Sequence, residues 1–221
     1  MSPTPQQFDR HEREVEFSRA LAFSDGVFGV AITLLITTID VPEVSGPDLE
    51  SKLVDALQAL DGSIISYFIS FAVIGLMWMH HHRLFSRIRR VDSAALWLNL
   101  LSLSFIVLMP FSTELMGDYD GQPVAVAIYA LNIALAVFAY TLLWWYCAWR
   151  DMLGEHLTRA QIRYELVTRM AIAAGFLVSI PIAWLSTRWA QYSWAIFSIA
   201  QAQITGWLER TGRAPVAHED D

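Results

Sequence analysis

The chain predicts an all-α, polytopic membrane protein with six transmembrane helices, and three observations predict it. First, 55% of its 221 residues are hydrophobic and only 17% are charged, whereas charged residues make up about a quarter of an ordinary soluble domain. Second, uncharged runs recur at 26–39, 62–79, 93–113, 121–149, 170–187 and 189–208. A spanning helix needs roughly 20 apolar residues, with a range of about 17–25. Five runs meet that length directly, and the first does so once 20–25 is added. Third, the bases segregate. With six spans, one side holds Arg10, Arg13, Arg19, Arg83, Arg87, Arg89, Arg90, Arg150, Arg159, Arg163, Arg169, Arg210 and Arg213, and the other holds only Lys52 and Arg188. The positive-inside tendency then makes both termini cytoplasmic. A soluble protein with buried helices is the alternative that these runs disfavour.

Each element follows from the local sequence. Residues 1–18 form a polar cytoplasmic arm carrying Arg10, Glu12, Arg13, Glu14 and Glu16. No small-residue cleavage site follows a short apolar core, so no signal peptide is expected. The six-helix domain covers 19–208, with approximate helices 19–41, 62–82, 93–115, 122–148, 166–187 and 189–208. Between the first two, Leu49, Leu53, Leu57 and Leu60 recur at helical spacing, with Asp48 as the N-cap of a short helix on the outer surface. Residues 117–123, Gly-Asp-Tyr-Asp-Gly-Gln-Pro, form a turn by composition. Pro110 and Pro181 fall near outer helix ends, where kinks are tolerated. Thr187-Arg188-Trp189 leaves almost no loop, so the last two helices form a tight hairpin. Residues 209–221 are a cytoplasmic tail. The single cysteine, Cys147, permits no intrachain disulfide and serves as a small core or lipid-facing residue.

Soluble-enzyme signatures are missing. There is no phosphate loop ending in Lys-Ser or Lys-Thr and no His-Glu-x-x-His, and the bases form no aromatic-interleaved patch for nucleic acid. The chain reads as a non-enzyme. Consecutive His80, His81 and His82 point about 100° apart on a helix and cannot ligate one metal together. His11, His156 and His218 lie outside the spans, so no metal site and no cofactor is expected. The histidines read better as hydrogen-bonding groups at the cytoplasmic boundary, with Asp25 or Ser24 as partners and Trp78 nearby. The acids Asp40, Glu43, Asp48, Glu50, Asp55, Asp61, Glu114, Asp118 and Asp120 fall on the outer side. They would concentrate cations within about a Debye length, roughly 8 Å, and they equally complement the inside-positive pattern.

The first span is the most informative. Asp25 sits just inside it, and a charge at that depth is costly, rare, and usually paired or functional. At 100° per residue, Gly26, Val30, Thr33, Leu34, Thr37 and Val41 fall within about 100° of each other, while Asp25 lies roughly 140° from Val30. Two readings stand. The stripe packs on another helix, with Thr33 and Thr37 bonding their own upstream carbonyls. Alternatively, copies of the chain face each other around an axis, with aliphatic rings forming a constriction and threonine hydroxyls meeting ions.

Arg19-x-x-x-Phe23-Ser24-Asp25, running into Gly-Val-Phe-Gly-Val-Ala-Ile-Thr-Leu-Leu, resembles the signature of the transmembrane protein 175 family of potassium channels. The stretch Trp78-Met79-His80-His81-His82-Arg83-Leu84-Phe85 resembles the end of helix two in its prokaryotic members. The resemblance covers the whole six-helix length. It implies a homotetramer in the inner (plasma) membrane, with one six-helix unit per chain and a pore lined by helix one, without re-entrant loop or Thr-Val-Gly-Tyr-Gly filter. By spacing from Asp25 it implies a constriction at Val30, Leu34 and Thr37 and a selectivity contact at Thr33. It also implies a structural network of Arg19, Phe23, Ser24 and Asp25 with Trp78 and His80 or His81. Val30 and Thr37 replace the larger or more apolar residues common in the family, so the dry seal is expected to be shorter.

The expectation is therefore a potassium-permeable cation channel whose partners are its own copies, membrane lipid and potassium ions, with no nucleic acid. A secondary transporter is the first alternative, although no inverted repeat is visible. A non-conducting membrane scaffold is the second, in which the threonine stripe is helix packing alone.

Overall fold

The computed structural model describes the backbone of residues 5–154 and 157–211 and the side chains of 15–154, 157–201, 203–208, 210 and 211. Arg10, His11, Arg13, His156, Arg213 and His218, all invoked above, lie outside those side chains. The described chain is helical: α1 (Pro5–Leu34) continuing into a 3-10 turn (Leu35–Thr38), α2 (Leu49–Gln58), α3 (Asp61–Arg87), α4 (Ser93–Val107), α5 (Met109–Asp118), α6 (Pro123–Trp149), α7 (Arg159–Leu185) and α8 (Thr187–Arg210). Among the described residues, five stretches are long and apolar enough to cross a membrane: Val15–Thr38, Asp61–Arg87, Ser93–Asp118, Pro123–Trp149 and Arg159–Leu185. The protein is thus an all-α, multi-pass membrane protein. Over the expected sixth span runs α8, which falls below the other five in apolarity because Gln191, Gln201, Gln203 and Thr205 interrupt it.

The bundle is organised around α6. It has 61% of its most apolar window buried, against 22–33% in the other four candidate spans, so it is the central post and the others each keep an uncovered side. Two core layers stack along it. One gathers Phe28, Leu35, Ile74, Tyr129, Ile133 and Trp194. The other gathers Leu84, Phe85, Ile88, Leu143, Trp144, Cys147 and Leu153. Cys147 is therefore a core residue rather than a lipid-facing one.

Buried hydroxyls and amides are paired across helices, as a low-dielectric core requires. Thr113 Oγ1 donates to Ser70 Oγ at 2.7 Å, and Ser70 Oγ lies 2.9 Å from the Tyr129 hydroxyl. The Tyr129 ring packs on Trp194, whose Nε1 donates to Ser179 Oγ at 2.8 Å. One lateral path of contacts thereby joins α5, α3, α6, α8 and α7. It gives the less apolar α8 a polar anchor in the core.

Several local expectations change on inspection. The third span breaks at Leu108 into α4 and α5, with Pro110 in the first turn of α5, where a missing N–H costs nothing. Asn132 Nδ2 contacts the Phe105 carbonyl at 3.2 Å and Ser112 Oγ at 3.2 Å across that break. Asp48 does precede α2, but its side chain makes no capping bond, because its backbone is left-handed at φ 60°. The fifth helix begins at Arg159, earlier than 166, since Thr158 and Gln161 form a reciprocal capping box. The final hairpin is as tight as the sequence implies, with Ser186 alone between α7 and α8. Val41 lies beyond the helical part of the first span, because Ile39 is already extended.

Two outcomes follow. A Cβ on Gly117 would come 2.9 Å from Ser63 Cα. Gly117→Ala should therefore push α5 off α3 and lower stability by about 1–3 kcal/mol, read as a fall in melting temperature in detergent. Asp92, which caps α4, is partly desolvated, and burial alone would raise its pKa. The Ala95 N–H, the Tyr146 hydroxyl and Arg150 together outweigh this and hold it below the usual aspartate value. A depressed folded pKa means that its stabilisation is complete above the unfolded value and disappears as pH falls through the folded one. Acid melting of Asp92→Asn should thus differ most from the native protein near neutral pH and converge with it once the pH falls below the depressed folded pKa.

Candidate functional site

The opening motif of the first span divides by helix face. Ser24 is fully buried and Asp25 partly so, whereas Arg19 and Phe23 are exposed. Asp25 accepts a hydrogen bond from Trp78 Nε1 on α3 at 2.9 Å. Arg19 is not brought to Asp25 within the protomer. With Phe23 it lines an open cleft of about 670 Å³ between α1 and α4, whose other walls include Glu16, Leu96, Asn99 and Leu100.

Ser24 begins a buried polar chain whose direction is fixed by its donors. Ser24 Oγ donates to the Ala20 carbonyl at 2.9 Å, so it accepts from Asn99 Nδ2, also at 2.9 Å. That orients the Asn99 amide with Oδ1 towards His81 Nε2, again at 2.9 Å, and the imidazole must donate there. His81 is 1% exposed and is stacked on Phe85 at 4.2 Å with Phe28 5.4 Å away. Its Nδ1 is buried and has no hydrogen-bond partner among the described residues. One unbroken chain therefore ties α1 to α4 and α3, next to the Asp25–Trp78 bond.

The three histidines separate. His81 joins the chain, the backbone carbonyl of His80 accepts from the Tyr140 hydroxyl at 2.7 Å, and the His82 ring lies 5.7 Å from that of Trp78. Among the described residues, no group of three His, Cys, Asp or Glu side chains could hold a metal ion. Asn99 was absent from the sequence expectations, which weighed ionisable groups in the spans. The available signal was an amide between leucines, Leu98-Asn99-Leu100, in an otherwise apolar run. Such a group must find partners inside the protein.

The rest of α1 is two-faced. Phe28, Ala31, Leu35 and Thr38 are buried against the bundle, whereas Gly26, Val30, Thr33, Leu34 and Thr37 are exposed, Val30 at 57% and Leu34 at 44%. Thr33 Oγ1 donates to the carbonyls of Gly29 and Val30 at 3.0 and 2.9 Å, and Thr37 Oγ1 to that of Leu34 at 2.7 Å. Their donor needs are met locally, and the oxygen lone pairs stay on the open face. The 3-10 turn has a further consequence. Residues three apart eclipse in that geometry, so Thr37 stands over Leu34.

The polar chain has a measurable cost when cut. Asn99→Leu would strand the buried His81 Nε2–H, and stranding such a group costs about 1–3 kcal/mol. Its melting temperature should fall clearly, and so should that of Trp78→Phe, which takes the indole donor from Asp25. Trp97→Phe, at a ring that is 72% exposed, should melt as the native protein does. Equal melting of all three variants would show that these bonds do not hold α1.

Comparison with known proteins places this arrangement. A family model described as the endosomal/lysosomal potassium channel TMEM175 matches residues 19–110, which contain the whole Ser24–Asn99–His81 chain. A protein named as a potassium channel from Streptomyces collinus is 37% identical over 176 residues, covering 77% of this chain and 84% of that one. Another from Chamaesiphon minutus is 35% identical over 181 residues, covering 77% and 88%. The human endosomal/lysosomal proton channel TMEM175 is 38% identical over 123 residues, which are 52% of this chain and 24% of the human protein. The crystal structure of a lysosomal potassium-selective channel TMEM175 homolog from Chamaesiphon minutus matches with a TM-score of 0.72 at 30% identity, over 86% of this chain and 97% of that one. The chain belongs to the TMEM175 family of membrane channels.

Proposed function

We propose that this protein is a potassium-permeable cation channel, a homotetramer whose pore is lined by α1. The observation that carries the reading is the open face of α1. Its opposite face is locked into the bundle, yet Gly26, Val30, Thr33, Leu34 and Thr37 are exposed, with no cover among the described residues. A stripe of glycine, threonine and aliphatic residues suits a shared axis better than lipid, since small residues permit close approach and hydroxyls find a use there. Four copies would stack Val30 and Leu34, with Thr37 above, as narrow rings that gate by dewetting. Thr33 would present hydroxyl oxygens to a partly dehydrated cation between the apolar rings. No carbonyl filter takes part in this reading, so preference for potassium over sodium should be modest.

The same reading assigns α8 as the sixth span, with both termini on the cytoplasmic side of the inner (plasma) membrane. The bases support it, because only Lys52 and Arg188 lie at the opposite ends of the spans. Two relatives named as potassium channels, similar over most of their length, support potassium as the permeant ion.

The test is electrical. In planar bilayers under opposed potassium and sodium gradients, Thr33→Val should keep a current but lower the permeability ratio by roughly two- to tenfold, the worth of one hydroxyl contact. Val30→Asn or Leu34→Ser should raise the resting current, because a polar ring replaces the hydrogen bonds that water loses on entry. If the ratio ignores Thr33 and the resting current ignores Val30 and Leu34, α1 does not line the pore. Saturable turnover without unitary currents would favour a transporter instead.

A further inference from the structure

At the end of the bundle where α3, α4 and α6 meet their connections, two loops are fastened together. Arg89 N donates to the Met152 carbonyl at 2.9 Å and Gly154 N to the Arg87 carbonyl at 2.7 Å, with Ile88 and Leu153 paired in an antiparallel bridge. Ile88, Met152 and Leu153 are buried at 7%, 3% and 7% exposure. This clasp is rooted in the core, so the backbone from which its arginines project is held in place.

Those arginines converge. Arg90 Nη2 donates to the Arg150 carbonyl at 3.1 Å. Arg150 spreads over the Trp149 ring, 6.0 Å from its centroid, and comes within 3.9 Å of Asp92. The Arg89 guanidinium lies against Gly154 so closely that a Cβ there would stand 2.9 Å from its Nε. Arg89, Arg90 and Arg150 thus gather around the clasp beside one carboxylate, Asp92. Asp92 is already engaged by the Ala95 N–H and the Tyr146 hydroxyl. The patch keeps a net positive charge.

Its depth is also set. Span ends at Arg87, Ser93 and Trp149 surround it; the Trp149 ring beside it is 64% exposed, and Trp97, four residues into the span that starts at Ser93, is 72% exposed. Exposed tryptophans at span ends mark the level of lipid headgroups. Guanidiniums match phosphate oxygens through paired N–H donors, and basic clusters at this depth attract anionic lipid. We propose that the clasp is a binding site for the phosphate headgroup of an anionic phospholipid in the adjoining leaflet. Arg89, Arg90 and Arg150 grip the phosphate, and the tryptophans flank the upper acyl chain. The site is independent of which helix lines the pore.

The experiment titrates the full-length protein in detergent with phosphatidylglycerol or phosphatidylcholine and counts bound lipid by native mass spectrometry. The native protein should bind phosphatidylglycerol more tightly than phosphatidylcholine, by about fivefold for each guanidinium engaged. The Arg89→Gln/Arg90→Gln double variant should lose most of that preference, and Arg188→Gln, at the opposite end of the bundle, should keep it. Gly154→Ala alters no charge and needs only the flexible Arg89 tip to move, so it should fold and lose part of the preference. It decides the matter if the double variant fails to fold. A preference that survives Gly154→Ala and the double variant, or falls equally in Arg188→Gln, overturns the site. Displacement of phosphatidylglycerol by millimolar inorganic phosphate would overturn the lipid as its source.

Discussion

A carboxylate just inside the first membrane span has to be satisfied by the protein itself, and this requirement sets the rotation of α1. An unpaired charge at that depth is costly. Trp78 on α3 supplies a donor to Asp25, and the neighbouring Ser24 is tied through Asn99 to His81. These two adjacent positions can reach α3 and α4 only if one face of the helix turns inwards. Phe28, Ala31, Leu35 and Thr38 follow them into the core, and Val30, Thr33, Leu34 and Thr37 are turned out. The polar chain therefore does more than stabilise: it decides which residues of α1 are left uncovered by the rest of the bundle.

The remainder of the bundle supports that placement. The central α6 is buried on most sides and carries Tyr129, Tyr140 and Trp144 towards the neighbouring helices. Tyr140 donates to the His80 carbonyl, which anchors α3 close to His81, the histidine that donates to Asn99 Oδ1. At the same end, the Arg169 guanidinium lies over the rings of Tyr140 and Trp144, 5.4 and 5.0 Å from their centroids, and pairs with Glu165 at 3.1 Å. Aromatic faces accommodate a guanidinium that would be expensive to bury alone. Helix α1 is therefore held by rigid neighbours.

The class and the two faces of α1 were legible in the sequence because both rest on strong, local physics. Uncharged runs of spanning length and segregated arginines are decisive for a multi-pass helical protein. A wheel of a single helix separates Asp25 from Val30 without knowledge of its neighbours. What escaped has equally physical reasons. Asn99 carries no charge, and its importance arises only when three helices meet. The break at Leu108 and the early start of α7 depend on cap geometry, which periodicity does not register. The loop clasp joins residues 87–90 to 150–154, a pairing that no local pattern encodes. Asp48 has the right residue type for a cap, but the backbone before α2 turns the other way.

The central claim is that the open face of α1 meets its own copies. Disulfide crosslinking between subunits in a Cys147→Ala background tests it most directly, because a disulfide demands Cα atoms about 4.4–6.8 Å apart and therefore reports contact between copies rather than mere exposure. Single cysteines at Val30 and Leu34 should yield covalent dimers under mild oxidation. A cysteine at Ile32, whose side chain packs against the core, should not. Crosslinking at Ile32 with none at Val30 or Leu34 would contradict the account.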